Sequence, residues 1–160
     1  MEVRRSALVV HSAAQMFDLI EAAEHYADFL PWCTGATIIA RDETVVMARI
    51  AVKYRGIGFS FTTRNPKQRP RWMAIHLEEG PFRHFEGEWH LRELASNACK
   101  IEFALRYELD NGLVGKLASP IFEGIARTLM DAFVLRADQT LVGYSQPVAR
   151  GDFPSSGVQS

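Results

Sequence analysis

Four residues with acid, base or metal-ligating side chains stand at alternate positions of one run, His84, Glu86, Glu88 and His90, with Glu102 and Arg106 in the run that follows. On an extended chain a spacing of two puts side chains on the same face. His84 and His90 are therefore placed to approach a metal ion. The same alternation argues against that use and against catalysis by Glu86, Glu88, Glu102 and Arg106. Phe85, Trp89 and Leu91 take the opposite face, so the charged face is the one that an antiparallel sheet leaves in water. The other histidines, His11, His25 and His76, add no ligand spacing, and the sequence has no Gly-x-Ser-x-Gly, His-Glu-x-x-His or phosphate-cradling glycine loop. Cys33 and Cys99 lie far apart without a Cys-x-x-Cys pattern and read as reduced, structural thiols. The expectation is a binding protein and not an enzyme, with no catalytic residue and no metal site.

Two stretches ask for an explanation of another kind. In "EHYADFLPWC" Phe29, Leu30, Pro31 and Trp32 cluster where a helical pattern must stop, because the residue before proline is pushed out of the helical region. The cluster is either a plug in the core or an apolar gate that touches a membrane, and Trp32 suits an interface with its apolar ring and polar N–H. The second stretch is "KQRPR", whose Lys67, Arg69 and Arg71 form a local basic patch that could meet phosphates or else simply face water.

The elements that position these residues follow from periodicity. A chain of 160 residues favours one domain with an adequate core. With 18 basic and 19 acidic residues, the net charge of −1 supplies no global field for nucleic acid or anionic membrane. The uninterrupted apolar run Ala7–Val10 is shorter than a signal-peptide core and nothing approaches a bilayer span, so a cytoplasmic protein, peripheral at most to a membrane, is expected. Residues 1–144 are read as the domain, and 145–160, rich in Ser, Gly and Pro, as a flexible tail.

Val3–Val10 reads as a strand. Ser12 and Gln15 form a capping box that opens a helix, and a short second helix runs to Leu30. Period two then predicts strands over Ala36–Arg41, Thr44–Tyr54, Phe59–Asn65, Arg71–Glu79, Phe82–Leu94 and Cys99–Leu109. Leu113, Leu117, Ile121, Ile125, Leu129 and Phe133 recur at helical spacing, with Pro120 where a helix could restart. The order predicts an α+β fold of helix-grip form, a curved antiparallel sheet wrapped around a long C-terminal helix with two short helices after the first strand. Tyr54, Phe59, Phe61, Phe85, Trp89, Phe103, Phe122, Leu129 and Phe133 fall mainly on inward positions. These side chains are too bulky to interdigitate without gaps in one small core, which makes them candidate ligand contacts.

"FLPWC", "FTTRN", "EGPF", Trp89, "CKIEF" and "DAFVLRA" also come in an order and spacing that resemble the coenzyme-Q-binding START-like family, within the polyketide cyclase-like superfamily, over nearly the whole chain up to the tail. The resemblance implies a cavity between sheet and long helix that holds ubiquinone or a related isoprenoid lipid, with no other cofactor required, in support of respiration. It also implies an alternative, association with the large ribosomal subunit that blocks subunit joining and translation initiation. Lys67, Arg69 and Arg71 would then be the candidate contacts to ribosomal RNA.

Overall fold

The computed structural model describes residues 1–141, so the domain limit at 144 and the tail over 145–160 lie outside the described residues. In chain order the elements are β1 (Glu2–Val9), α1 (Ala13–Glu21), a 3-10 helix (Ala23–Asp28), β2 (Cys33–Arg41), β3 (Val45–Tyr54), β4 (Ile57–Gln68), β5 (Trp72–Glu79), β6 (Phe82–Ala95), β7 (Ala98–Leu109) and α2 (Leu113–Thr140). The strands form a single seven-stranded antiparallel sheet in the order β1-β7-β6-β5-β4-β3-β2. Six strands follow one another as hairpin neighbours, and β1 closes the far edge by pairing with β7, Val3 opposite Leu105 and Val9 opposite Cys99.

The alternation read from β6 and β7 sets the two faces. Phe85, Trp89 and Leu91 face inward with Ile101, Phe103, Leu105 and Tyr107, all buried, while His84, His90, Glu102 and Glu108 lie exposed on the other side. Ser12 opens α1 as expected: its Oγ accepts from the Gln15 N–H at 3.1 Å, and Gln15 Oε1 accepts from the Ser12 N–H at 3.0 Å. This satisfies two donors that a helix start otherwise leaves free. The second short helix is a 3-10 turn that stops at Asp28, two residues before the expected end at Leu30.

The long helix departs from its expected form in two ways. It runs unbroken through Pro120 instead of restarting there. Its buried face is Ala118, Phe122, Ile125, Ala126, Met130, Phe133 and Ala137, whereas Leu113 and Leu117 are exposed. A row of residues four apart advances about 40° per step around a helix of 3.6 residues per turn. A row that faces the sheet at Phe133 has therefore turned outward by the time it reaches Leu113.

Two aromatic clusters fix α2 on the sheet. Toward its N-terminal half, Phe122 meets Phe82 (ring centroids 5.0 Å apart), Tyr107 (4.9 Å) and Phe61 (6.1 Å). Toward its C-terminal half, Phe133 meets Trp89 (5.5 Å), Tyr26 (5.3 Å) and Phe29 (5.4 Å). The first cluster depends on the β5–β6 turn, where Gly80 has φ +154° and a Cβ would lie 2.6 Å from Phe61 Cβ. Gly80→Ala is expected to cost about 2 kcal/mol or more, since both the backbone and Phe61 must shift. Urea unfolding would show it as a lower midpoint at unchanged slope; an unchanged midpoint would mean that the turn does not press on Phe61.

Candidate functional site

Between the two clusters the sheet and α2 do not meet. Phe122 and Phe133 are large, but Ala126 between them is buried and small, and it lines a cavity of about 100 Å³ together with Ala48 of β3. Of the candidate ligand contacts, Phe61, Phe85, Trp89, Phe103, Phe122, Leu129 and Phe133 line this cavity. Tyr54 does not. It has the parity of the inward residues of β3, but it sits at the strand's end, is 44% exposed, and lines an outer groove instead. Phe59 lines neither space and lies against Phe61, ring centroids 6.4 Å apart.

The groove holds about 590 Å³ and runs between Tyr54, Arg55 and Ile57 at the β3–β4 turn and Leu117, Ile121 and Ile125 of α2. Trp32 and Ile125 line both spaces and so stand at the boundary between them. A cavity of roughly 150 Å³ is known to accept benzene. The enclosed space is smaller than that, so a substituted ring enters only if the boundary gives way, and a long chain must extend into the groove.

The expected gate loses one side chain. Leu30 is 1% exposed, which corrects its reading as a membrane contact, and Phe29 is half-buried with its ring against Phe133 and Tyr26. Pro31 is exposed beside half-buried Trp32.

The polar end of the cavity was missed in the sequence. Thr63 and Asn65 line it from β4, and Glu21 from the end of α1. Asn65 Nδ2 lies 3.8 Å from Met73 Sδ, and its Oδ1 is buried with no hydrogen-bond partner among the described residues. Glu21 accepts a hydrogen bond from Lys67 Nζ at 2.7 Å and is paired with Arg41 at 3.0 Å. Tyr26 donates its hydroxyl to the Ile20 carbonyl, and burial pushes its pKa up. The strand parity that puts Phe61 inside also puts Thr63, Asn65 and Lys67 inside, and that signal was available.

It also corrects the reading of the basic stretch. Lys67 is an inward residue, its side chain only 6% exposed and held by Glu21. Arg69 forms a two-pronged pair with Asp18 at 2.7 and 2.8 Å, and Arg71 donates to Gln68 at 2.8 Å. Two of these cations are engaged by carboxylates of α1, so they fasten the helix to β4 and its following turn instead of presenting charge to phosphates. On the outer face, His84 and His90 each lie 3.6 Å from a carboxylate of their own strand, Glu86 and Glu88, and Arg106 bridges the two carboxylates. Cys33 and Cys99 are free and buried; burial raises both thiols, Cys99 to about 11, which keeps them protonated and unreactive. Among the described residues no helix is long and apolar enough to cross a membrane.

An antiparallel sheet gripping a long C-terminal helix, with a mainly apolar cavity between them, defines a helix-grip protein of START-like class. The chain belongs to the polyketide cyclase / dehydrase and lipid transport family, whose model matches residues 9–134. It is 34% identical over 137 residues to the ribosome association toxin RatA of Pseudomonas aeruginosa, covering 86% of this chain and 95% of that one. It is 23% identical over 155 residues to the mitochondrial coenzyme Q-binding protein COQ10 homolog B of Xenopus laevis, covering 93% of this chain and 63% of that one. Among solved structures, the Zhui aromatase/cyclase from Streptomyces sp. R1128 superposes with a TM-score of 0.73 at 16% identity, over 88% of this chain and 95% of that one. A START superfamily protein from Mycobacterium smegmatis gives 0.68 at 22% identity, over 86% and 97%.

Filling the gap tests whether it is real. Ala126→Phe should leave the thermal midpoint within a few degrees, because the void absorbs the ring, and should abolish binding of an apolar ligand. In a close-packed interface the same change would cost about 1–3 kcal/mol, and such a loss in calorimetry would show that sheet and helix are in full contact at Ala126.

Proposed function

We propose that the protein is a non-enzymatic carrier of an apolar ligand, ubiquinone or a related isoprenoid lipid, which it takes from and returns to a membrane surface in support of respiration. The observation that carries this reading is the ring-lined cavity, separated at Trp32 and Ile125 from a larger groove on the surface. The name of the COQ10 relative supports the quinone class. A carrier role is supported further by the state of the cavity's ionisable groups. Glu21 is committed to Lys67 and Arg41, and Tyr26 to a backbone carbonyl, so neither is held ready to exchange a proton with a ligand.

The second reading, association with the large ribosomal subunit, is supported by relatives named as ribosome association toxins at 34 and 35% identity. The lipid reading comes first because the cavity supports it directly, whereas Lys67 and Arg69 are engaged within the chain. Transfer of ubiquinone between vesicles separates the two. Trp32→Ala is expected to slow transfer several-fold with the midpoint nearly unchanged; a large drop in midpoint with unaltered transfer would make Trp32 a core residue only. Salt-sensitive co-sedimentation with ribosomal subunits, without any quinone transfer by the unmodified protein, would favour the second reading.

A further inference from the structure

We infer that the cavity takes the head of a single-ringed amphiphile that donates a hydrogen bond, a phenol or hydroquinol in preference to a quinone, with Asn65 as the acceptor and the tail leaving past Trp32 into the groove. The inference rests on the lipid-carrier reading and adds which end of the ligand enters and in which oxidation state.

The orientation comes from one strand. Successive inward positions of β4 are Phe61, Thr63, Asn65 and Lys67, a passage from ring to hydroxyl to amide to charge. Thr63 and Asn65 line the cavity, and beyond them Lys67 is sealed by Glu21 at 2.7 Å. At the other end the lining passes through Trp32 and Ile125 to a groove walled by Leu117, Pro120 and Ile121. A ligand in the reverse orientation would lay its tail on Asn65 and Thr63 and leave the buried Asn65 acceptor unpaired. At about 100 Å³ the cavity takes the ring only with the Trp32 and Ile125 boundary displaced, and the groove's 590 Å³ leaves room for a chain.

The preference for a donor comes from what the polar end offers. The Asn65 amide nitrogen is turned to Met73 Sδ, which leaves Oδ1 as the group without a partner, and Glu21, a carboxylate already paired with Lys67 and Arg41, lines the same cavity. Both accept hydrogen bonds; the Thr63 hydroxyl can do either. A quinone's ring oxygens only accept, so they gain nothing from Oδ1 and depend on the Thr63 hydroxyl for a proton. A hydroquinol's hydroxyl supplies that proton and satisfies a buried acceptor that is otherwise left bare. No electron or proton is transferred by the protein in this scheme; it only binds one redox form more tightly.

The test is an anaerobic titration of the full chain with decyl-ubiquinol and, separately, decyl-ubiquinone, followed by calorimetry. The unmodified protein should bind the quinol about 10-fold more tightly, the worth of one hydrogen bond to a buried acceptor. Asn65→Leu should bind the two forms equally, with a thermal midpoint that stays or rises because an unpaired buried carbonyl has been removed. Should that variant fail to fold, the comparison on the unmodified protein still decides. Equal binding of both forms, tighter binding of the quinone, or a quinol preference that survives in Asn65→Leu overturns the inference while leaving the carrier reading in place. Binding of neither form by the unmodified protein overturns both.

Discussion

Everything functional in this molecule depends on a separation between α2 and the sheet, and that separation is set by side-chain size along one helix face. Phe122 and Phe133 put rings against rings on the sheet at two points, and between them Ala126 lines the cavity with Ile125 and Leu129. Protein interiors otherwise pack as densely as organic crystals, so a gap bordered by seven aromatic or branched candidate contacts is not a by-product of loose collapse. It is the consequence of a large–small–large order that the two aromatic clusters hold in place.

The rest of the sheet supports that gap from its ends. The closed end is fastened by ion pairs that join α1 and the 3-10 helix to the sheet: Asp18 with Arg69, Glu21 with Lys67 and Arg41, and Glu24 with Arg41 at 2.7 Å. The Arg41 guanidinium holds the Glu24 carboxyl at about 2, far below its ordinary range. Its contribution to folding is thus present above the usual carboxylate range near 4.5 and is lost only as pH falls toward 2. Among the described residues the open end has no such ion pair. There Trp32 separates cavity from groove, and the first turns of α2 expose Leu113, Val114 and Leu117. A rigid polar end and a loosely closed apolar end are what a carrier needs to hold a head group and release a tail.

The strands and the aromatic part of the cavity lining were legible in the sequence because both rest on local periodicity. Period two placed Phe61, Phe85, Trp89 and Phe103 on the inner face, and the capping box placed the start of α1. Features that depend on distance along an element were not legible. The four-residue row on α2 drifts around the helix, so the helical spacing that includes Leu113 and Leu117 does not keep them on the buried face. Tyr54 has inward parity but lies at the end of β3, beyond the reach of the helix. Leu30 was read with Trp32 because the two are neighbours in sequence, yet the chain turns at Pro31 and sends one inside. Lys67 was read by its charge as surface, although its parity matches Phe61 and Thr63; only the carboxylate of Glu21, 46 residues away, makes an inward lysine tenable.

The central claim is that this gap is occupied by a lipid in the living cell. Native mass spectrometry of the protein isolated gently from its own host, with the released molecule identified after solvent extraction, measures this directly. One quinone or isoprenoid lipid per chain is the predicted result. A bare polypeptide mass from preparations in which a known lipid carrier keeps its ligand would contradict it.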